Sequence, residues 1–514
     1  MSLSPAWRYR LAALAAGLGA ALAHPPFGFL PGLLGYALLL WLSDRSSRVR
    51  SAFFRGWLAG LGYFAISTWW VAEAFFVDMR QAWMAPFAVT FLAAGLALFW
   101  GGAAALYRFA APKGATRVLV FAGSLAAFEW LRGHVLTGFP WDLPGESWRA
   151  GSAPSQFASV VGAYGLTWIT VAIFSAAALW RESRKAVLVA VVGLAGLYGF
   201  GAWRLANAVE GEGPLVRIVQ PMVEQSAKYD MRLFEEIVAR YVTLTQTPAA
   251  RTPDIVIWPE GAIPAAINDY LAPGTWTLEA VAGALEPRQT LLVGAYRIEG
   301  EREDAAYYNS LAALRFDGRE LKLTGLYDKH RLVPFGEYMP MDEIMSKWGV
   351  KQMVHVGDGF TPALPPSPIA PAGIPALQPL ICYESLFPGF TRKGATRSGV
   401  RPAWIVNVSN DAWFGQTSGP RQHLNLAAYR AIEEGLPMAR STPTGVSAMI
   451  DAYGRVVKRL ELGRAGVLDV ALPAPAPTTL YRRWGEWPFG LMLGLSFLLA
   501  ARIGAKARLN KRRD

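Results

Sequence analysis

Read for the spacing of its apolar and polar positions, the chain changes character near residue 205. Up to there it runs in long apolar stretches with short polar breaks, at 10–23, 29–42, 53–72, 85–107, 117–133, 157–180 and 186–204. One more such stretch lies at 487–503. Several are long enough to cross a hydrocarbon layer about 30 Å thick as helices, while the first two are short for a span. The pattern predicts a polytopic α-helical membrane protein with about eight spans, seven of them within 1–205.

Between 214 and 472 the apolar runs shorten to strand length. They stand at 215–220, 254–260 (closing on the acid Glu260), 291–295, 311–316, 377–381, 404–408, 446–450 and 467–470. A helical pattern covers 231–246, and Asp317-Gly318 and Asp451-Ala452-Tyr453-Gly454 read as turns. This alternation predicts a layered α/β domain. Residues 473–514 add a Pro/Ala linker, the last span and a basic tail. Long loops at 262–288 and 335–376 read as mobile arms, with Trp348, Val350 and Met353 as apolar groups able to dip into a bilayer.

Composition fits this division. Hydrophobic residues make up 53% of the chain and charged ones 17%, which is apolar for a soluble protein of 514 residues. The formal net charge of +12 admits a nucleic-acid partner, but the basic residues sit in short loops between apolar runs and in the tail, which suits a membrane surface. No zinc-finger spacing or RNA-binding signature appears, so no nucleic acid is expected. One set of loops carries Arg8, Arg10, Arg45, Arg48, Arg50, Arg55, Arg108, Lys113, Arg117, Arg181, Arg184 and Lys185; the alternate set holds far fewer. The positive-inside bias puts both termini in the cytoplasm and the α/β domain on the outer face. The N-terminal run also satisfies a signal peptide, but Pro25 and Pro26 disfavour cleavage after Ala23, so an uncleaved helix is expected.

Candidate chemistry narrows to few residues. Cys382 is the only cysteine, which excludes an internal disulfide and a thiolate zinc cluster. It follows the apolar run 377–381, and Glu384, two residues on, shares its face if the strand continues. Glu260 and Lys329 also end apolar runs. His330, His355 and His423 lack ligand-like spacing and read as core or surface histidines; no metal and no cofactor is expected. No Gly-rich phosphate loop appears. Glu129 lies within a predicted span, where Arg132 is its natural partner. Phe139, Trp141 and Trp148 read as a lipid-facing surface or an aromatic belt.

Three ordered motifs resemble the nitrilase (carbon–nitrogen hydrolase) superfamily: Trp258-Pro259-Glu260, then 327–337 from Tyr327-Asp328-Lys329 to Glu337, then Ile381-Cys382-Tyr383-Glu384. Within a frame of seven preceding spans and one following, the whole chain resembles that superfamily's membrane-embedded branch, the apolipoprotein N-acyltransferases. The resemblance implies an α-β-β-α sandwich and a triad of Glu260, Lys329 and Cys382, supported by Glu337, Tyr383 and Glu384. It also implies a monomer in a bacterial inner membrane, with its catalytic domain periplasmic. The implied partners are a phospholipid acyl donor and a diacylglyceryl-modified apolipoprotein acceptor. Two segments depart from the family pattern, Tyr229 where Trp is usual and Thr442-Pro443-Thr444-Gly445 where an Asn-Thr-Gly turn is common.

The residue types suit the chemistry on their own terms. A thiol of pKa about 8.5 is mostly neutral at pH 7 and needs a base or cation beside it. Glu260 can take its proton and Lys329 can hold an oxyanion, while Glu337 orients Lys329 or holds a second proton. A membrane-tethered amidase or nitrile hydrolase with the same triad is the first rival. A non-catalytic transporter or scaffold is the second, disfavoured because the spans lack paired internal charges apart from Glu129 and Arg132.

Overall fold

The computed structural model describes residues 4–300, 305–340 and 359–510. The predicted dipping residues Trp348, Val350 and Met353, with His355, lie outside the described residues. The chain divides into two units, 1–72 with 83–208 and 478–514, and 73–82 with 209–477.

The first unit is helical. Its helices are α1 (Pro5–Leu22), α2 (Gly35–Asp44), α3 (Val49–Thr68), α4 (Ala85–Ala110), α5 (Thr116–Arg132), α6 (Ala158–Ser175) and α7 (Arg184–Ala206), followed later by Trp487–Asn510. A helix therefore stands at each predicted apolar stretch. Among the described residues three helical stretches are long and apolar enough to cross a membrane by themselves: Met79–Ala110, Pro154–Leu179 and Arg184–Ala206. The others are limited by length or by charge, α2 having ten residues and α3 carrying Arg50 and Arg55. Small residues let these helices approach closely; a Cβ on Gly17 would lie 1.7 Å from the Ala59 carbonyl oxygen. Outward faces are apolar, with Leu188, Val189, Val191 and Val192 of α7 each 57–71% exposed. Inside the unit, Glu129 pairs with Arg132 and accepts a 2.6 Å bond from the Trp100 indole, so the buried acid is satisfied as its neighbour predicted. Trp141 and Trp148 are buried, at 2% and 3% exposure, rather than forming an outer belt.

Among the described residues the second unit carries eleven strands in two sheets. The first sheet has the order β11-β1-β2-β3-β4-β5, from β1 (Glu212–Gln220), β2 (Ile255–Trp258), β3 (Thr290–Glu299), β4 (Ala306–Phe316), β5 (Leu321–Asp328) and β11 (Gly466–Pro473). The second has the order β10-β9-β8-β7-β6, from β6 (Leu377–Ile381), β7 (Trp404–Val408), β8 (Met438–Ser441), β9 (Ser447–Ile450) and β10 (Val456–Leu460). β1, β2 and β3 are parallel, as are β6, β7 and β8. The sheets meet in one core, where Ile218, Ile257 and Leu311 of the first pack with Ile381, Val406 and Met449 of the second. The outer face of the first sheet is covered by α8 (Phe234–Thr245) and the helix Trp276–Gly283, through Val238, Tyr241 and Val281. Helices Phe390–Ser398 and Gly419–Glu434 belong to the second sheet's side of the chain.

The span 262–288, read as a mobile arm, carries two short helices, Ile267–Tyr270 and Trp276–Gly283. Ile263, Tyr270, Val281 and Leu285 are buried in the core beneath α8. Its apolar residues recur too irregularly to announce a helix, yet there are enough of them to hold the segment down.

Candidate active site

The three residues of the predicted triad each stand just past a strand end. Glu260 lies two residues beyond β2, Lys329 directly follows β5, and Cys382 directly follows β6. The carboxyl ends of parallel strands are where open α/β sheets present reactive groups. Gly294 of β3 lets the Glu260 segment lie close, since a Cβ there would meet the Pro259 carbonyl oxygen at 2.5 Å and Glu260 Cα at 2.6 Å. Cys382 has φ +48°, a left-handed conformation that side chains rarely adopt, and this sharp turn lifts the thiol out of the strand.

Four side chains close a compact polar square. Lys329 Nζ donates to Glu260 Oε1 at 3.2 Å and to Glu337 Oε1 at 2.9 Å. Asn309 Nδ2 donates to the same two oxygens, each at 2.7 Å. The second oxygen of Glu337 accepts from the Val333 amide at 2.8 Å. The second oxygen of Glu260 is buried and has no partner among the described residues. Burial alone pulls the Lys329 ammonium down, but the carboxylates of Glu260 and Glu337 more than reverse this, so the lysine stays charged. The Cys382 thiol is pushed up to about 12, first by burial and then by Glu260, while Lys329 and the Ser409 hydroxyl pull it down. Sequence reasoning missed Asn309. Its only signal is a single amide in β4, where it stands next to Ser310 and ahead of the apolar run from Leu311.

The supporting residues divide by role. Glu384 Oε1 accepts from Tyr327 Oη at 2.9 Å and from the amides of His330 at 2.8 Å and Arg331 at 3.1 Å, and Oε2 accepts from the Ile381 amide at 2.9 Å. It therefore ties the lysine segment to the cysteine turn. Burial lifts its carboxyl to about 7, against the pull of the Ile381 amide and the Lys329 charge. Tyr383 packs edge-on to Phe387 at 5.1 Å, and the Arg331 guanidinium lies 4.3 Å over that same Phe387 ring.

Lys228 is a second cation next to the square. Its Nζ donates to the Gly261 carbonyl at 2.8 Å, and burial lowers it to about 8 against the pull of Glu260. Tyr229 ends the short helical turn Ser226–Tyr229. Thr442-Pro443-Thr444-Gly445 forms the turn between β8 and β9, where Pro443 accepts from the Met222 amide at 2.8 Å. His330 Nδ1 meets the Ala363 carbonyl at 2.9 Å. His423 is buried beneath the cysteine turn, its Nε2 3.3 Å from the Cys382 carbonyl oxygen.

An ionised lysine clamped between two carboxylates, beside a partly buried thiol and a carboxylate oxygen with no partner among the described residues, is fitted to acyl transfer. The model of the apolipoprotein N-acyltransferase N-terminal domain matches residues 16–178, and the carbon–nitrogen hydrolase model matches 215–478. The apolipoprotein N-acyltransferase of Caulobacter vibrioides is 56% identical over 97% of this chain and 95% of its own. Those of Bradyrhizobium diazoefficiens and Rhodopseudomonas palustris are 39% and 37% identical, each over 96% of this chain and 95% of theirs. The chain thus belongs to the apolipoprotein N-acyltransferase family, as an acyltransferase built on a carbon–nitrogen hydrolase domain.

Proposed function

We propose that the protein transfers a fatty acyl chain from a phospholipid to the N-terminal amine of a diacylglyceryl-cysteine apolipoprotein, through a thioester on Cys382. The observation that carries this is the square of Glu260, Lys329, Glu337 and Asn309 beside Cys382, in a chain with membrane-length helices.

In the first step the thiol proton passes to the unpartnered Oε2 of Glu260 as sulfur attacks the phospholipid ester carbonyl. Protonating Glu260 removes one of the charges that hold the thiol neutral, so deprotonation and attack are coupled. Two of the three Lys329 N–H groups are held by Glu260 and Glu337, which leaves one for the tetrahedral oxyanion. The C–O bond then breaks, Glu260 returns its proton to the leaving alkoxide, and a lyso-phospholipid departs. In the second step the amine attacks the thioester, the C–S bond breaks, and the amine proton passes through Glu260 to the thiolate. One ester and one amine become one amide and one lyso-phospholipid.

All eight apolar helices would span the membrane in this reading. Both termini are cytoplasmic and the second unit is periplasmic, since the arginine-rich loops fall on one side. The protein acts as a monomer. Labelled phospholipid alone should place acyl label on Cys382 that neutral hydroxylamine removes, and an added lipopeptide amine should discharge it as amide. Release of free fatty acid with no amide would support the hydrolase rival instead. If wild-type protein acquires no labile label before the acceptor is added, transfer does not pass through Cys382.

A further inference from the structure

Beneath the cysteine turn lies a buried chain of polar groups that the transfer steps do not use. Asp411 Oδ1 lies 2.9 Å from His423 Nδ1. His423 Nε2 lies 3.0 Å from Ser385 Oγ, and Ser385 Oγ donates at 2.8 Å to the Cys382 carbonyl. On the other side Asp411 Oδ2 accepts from Arg440 at 2.7 Å. Arg440 also donates to Asn407 Oδ1, and Asn407 Nδ2 donates to the Leu380 carbonyl at 2.8 Å. All five side chains from Ser385 to Arg440 are at most 1% exposed. The chain thus grips the backbone on both sides of Ile381, immediately before and at the strained cysteine.

Taken alone, Asp411, His423 and Ser385 have the spacing of a hydrolytic triad. Ser385 cannot act as a nucleophile here, because it is fully buried and its hydroxyl points at the Cys382 carbonyl. What the arrangement can do is hold that carbonyl. A left-handed conformation at a non-glycine residue persists only where its surroundings over-determine it.

We infer that His423 is a positioning residue: backed by Asp411, it reaches the Cys382 carbonyl both directly and through Ser385, and so locks the Cys382 backbone so that the thiol is aimed at the acyl carbonyl. Asp411 is held well below the usual carboxylate range, since Arg440 and His423 outweigh its burial, and so it is a fixed anchor for the ring. The inference rests on Cys382 being the nucleophile.

The test uses the full-length protein in phospholipid micelles, reading the rate of hydroxylamine-labile acyl label on Cys382 across phospholipid concentrations. His423→Asn keeps a group near Asp411 but loses the reach to Ser385; His423→Gln keeps the reach. Misplacement of about 1 Å costs a factor on the order of 10² in rate. His423→Asn should therefore label ~10²-fold more slowly with an unchanged KM for phospholipid, and His423→Gln should recover most of the loss. Ser385→Ala, the smaller change should the histidine variants not fold, should lower the labelling rate about tenfold, again without altering KM. The inference is overturned by Asn and Gln variants that label alike, by a loss that appears in KM, or by Ser385→Ala labelling at the wild-type rate. A wild-type protein that takes no label removes the covalent step itself, and the inference with it.

Discussion

Glu260 combines one oxygen held by Lys329 and Asn309 with a second, buried oxygen that has no partner among the described residues. Glu260→Gln keeps the shape and the first set of contacts but cannot take the thiol proton. The rate of thioester formation should fall by ~10²–10⁴ while the melting temperature stays near that of the wild type. An unchanged rate would take Glu260 out of the mechanism. Glu384 has a different signature, because it acts through backbone. Burial raises its carboxyl from 4.5 to about 7, so the folded protein binds more protons than the unfolded chain between those values. Its contribution to stability therefore falls as pH rises through that window, by about 3 kcal/mol in all, and is flat above it. In Glu384→Gln that slope should vanish; melting curves at pH 5 and pH 8 that shift equally in wild type and variant would refute the assignment. The carboxylates, the lysine and the cysteine were legible in the sequence because each follows an apolar run or sits in a recognisable motif. Asn309 and His423 were not. An amide in a strand and a histidine in a helix gain their meaning from partners 28 to 49 residues away for the first, and 12 to 41 away for the second.

At the scale of elements, strand ends set the distances within the square, and β3 does so through a missing side chain. Gly294→Ala would push a methyl group into the Pro259 carbonyl and Glu260 Cα, both backbone, so neither can swing aside. The Glu260 turn must move. Labelling of Cys382 should slow by about 10², whereas Gly283→Ala, where a Cβ meets nothing within 4 Å, should leave the rate at its wild-type value. Equal rates in the two variants would show that β3 does not set the position of Glu260. Eight of the eleven strands among the described residues were anticipated, from runs of four to seven residues. β5, β8 and β10 were missed for a common reason. Leu321–Asp328, Met438–Ser441 and Val456–Leu460 interleave Lys, Thr or Arg with their apolar positions, and β5 and β10 lie at sheet edges where one side needs no apolar cover. The helices at 276–283, 390–398 and 419–434 escaped as well. Gly419–Glu434 is buried on nearly every side, so it lacks the one-sided stripe by which a surface helix announces itself.

For the whole molecule, the question is which side of the membrane holds the second unit, and the helices allow an argument by parity. Between Lys113 and Arg181 lie two helices, α5 and α6, so these exposed loop residues share a side if both helices cross. Between Arg181 and Arg251 lies only one long helix, α7, which is among the three apolar and long enough to cross alone. Residue 251 must then face the opposite side from 181. In the orientation proposed from the basic loops, 113 and 181 are cytoplasmic. Because Cys382 is the only cysteine, Cys382→Ser provides a background in which one introduced thiol reports alone. A membrane-impermeant maleimide applied to intact spheroplasts should label Arg251→Cys, and should label Lys113→Cys and Arg181→Cys only after permeabilisation. Labelling at 113 without 181 would mean that α5 or α6 does not cross, which would reduce the count of eight. Labelling of 113 and 181 with protection of 251 would invert the protein, placing Cys382 on the cytoplasmic face, away from lipoproteins that have crossed the membrane.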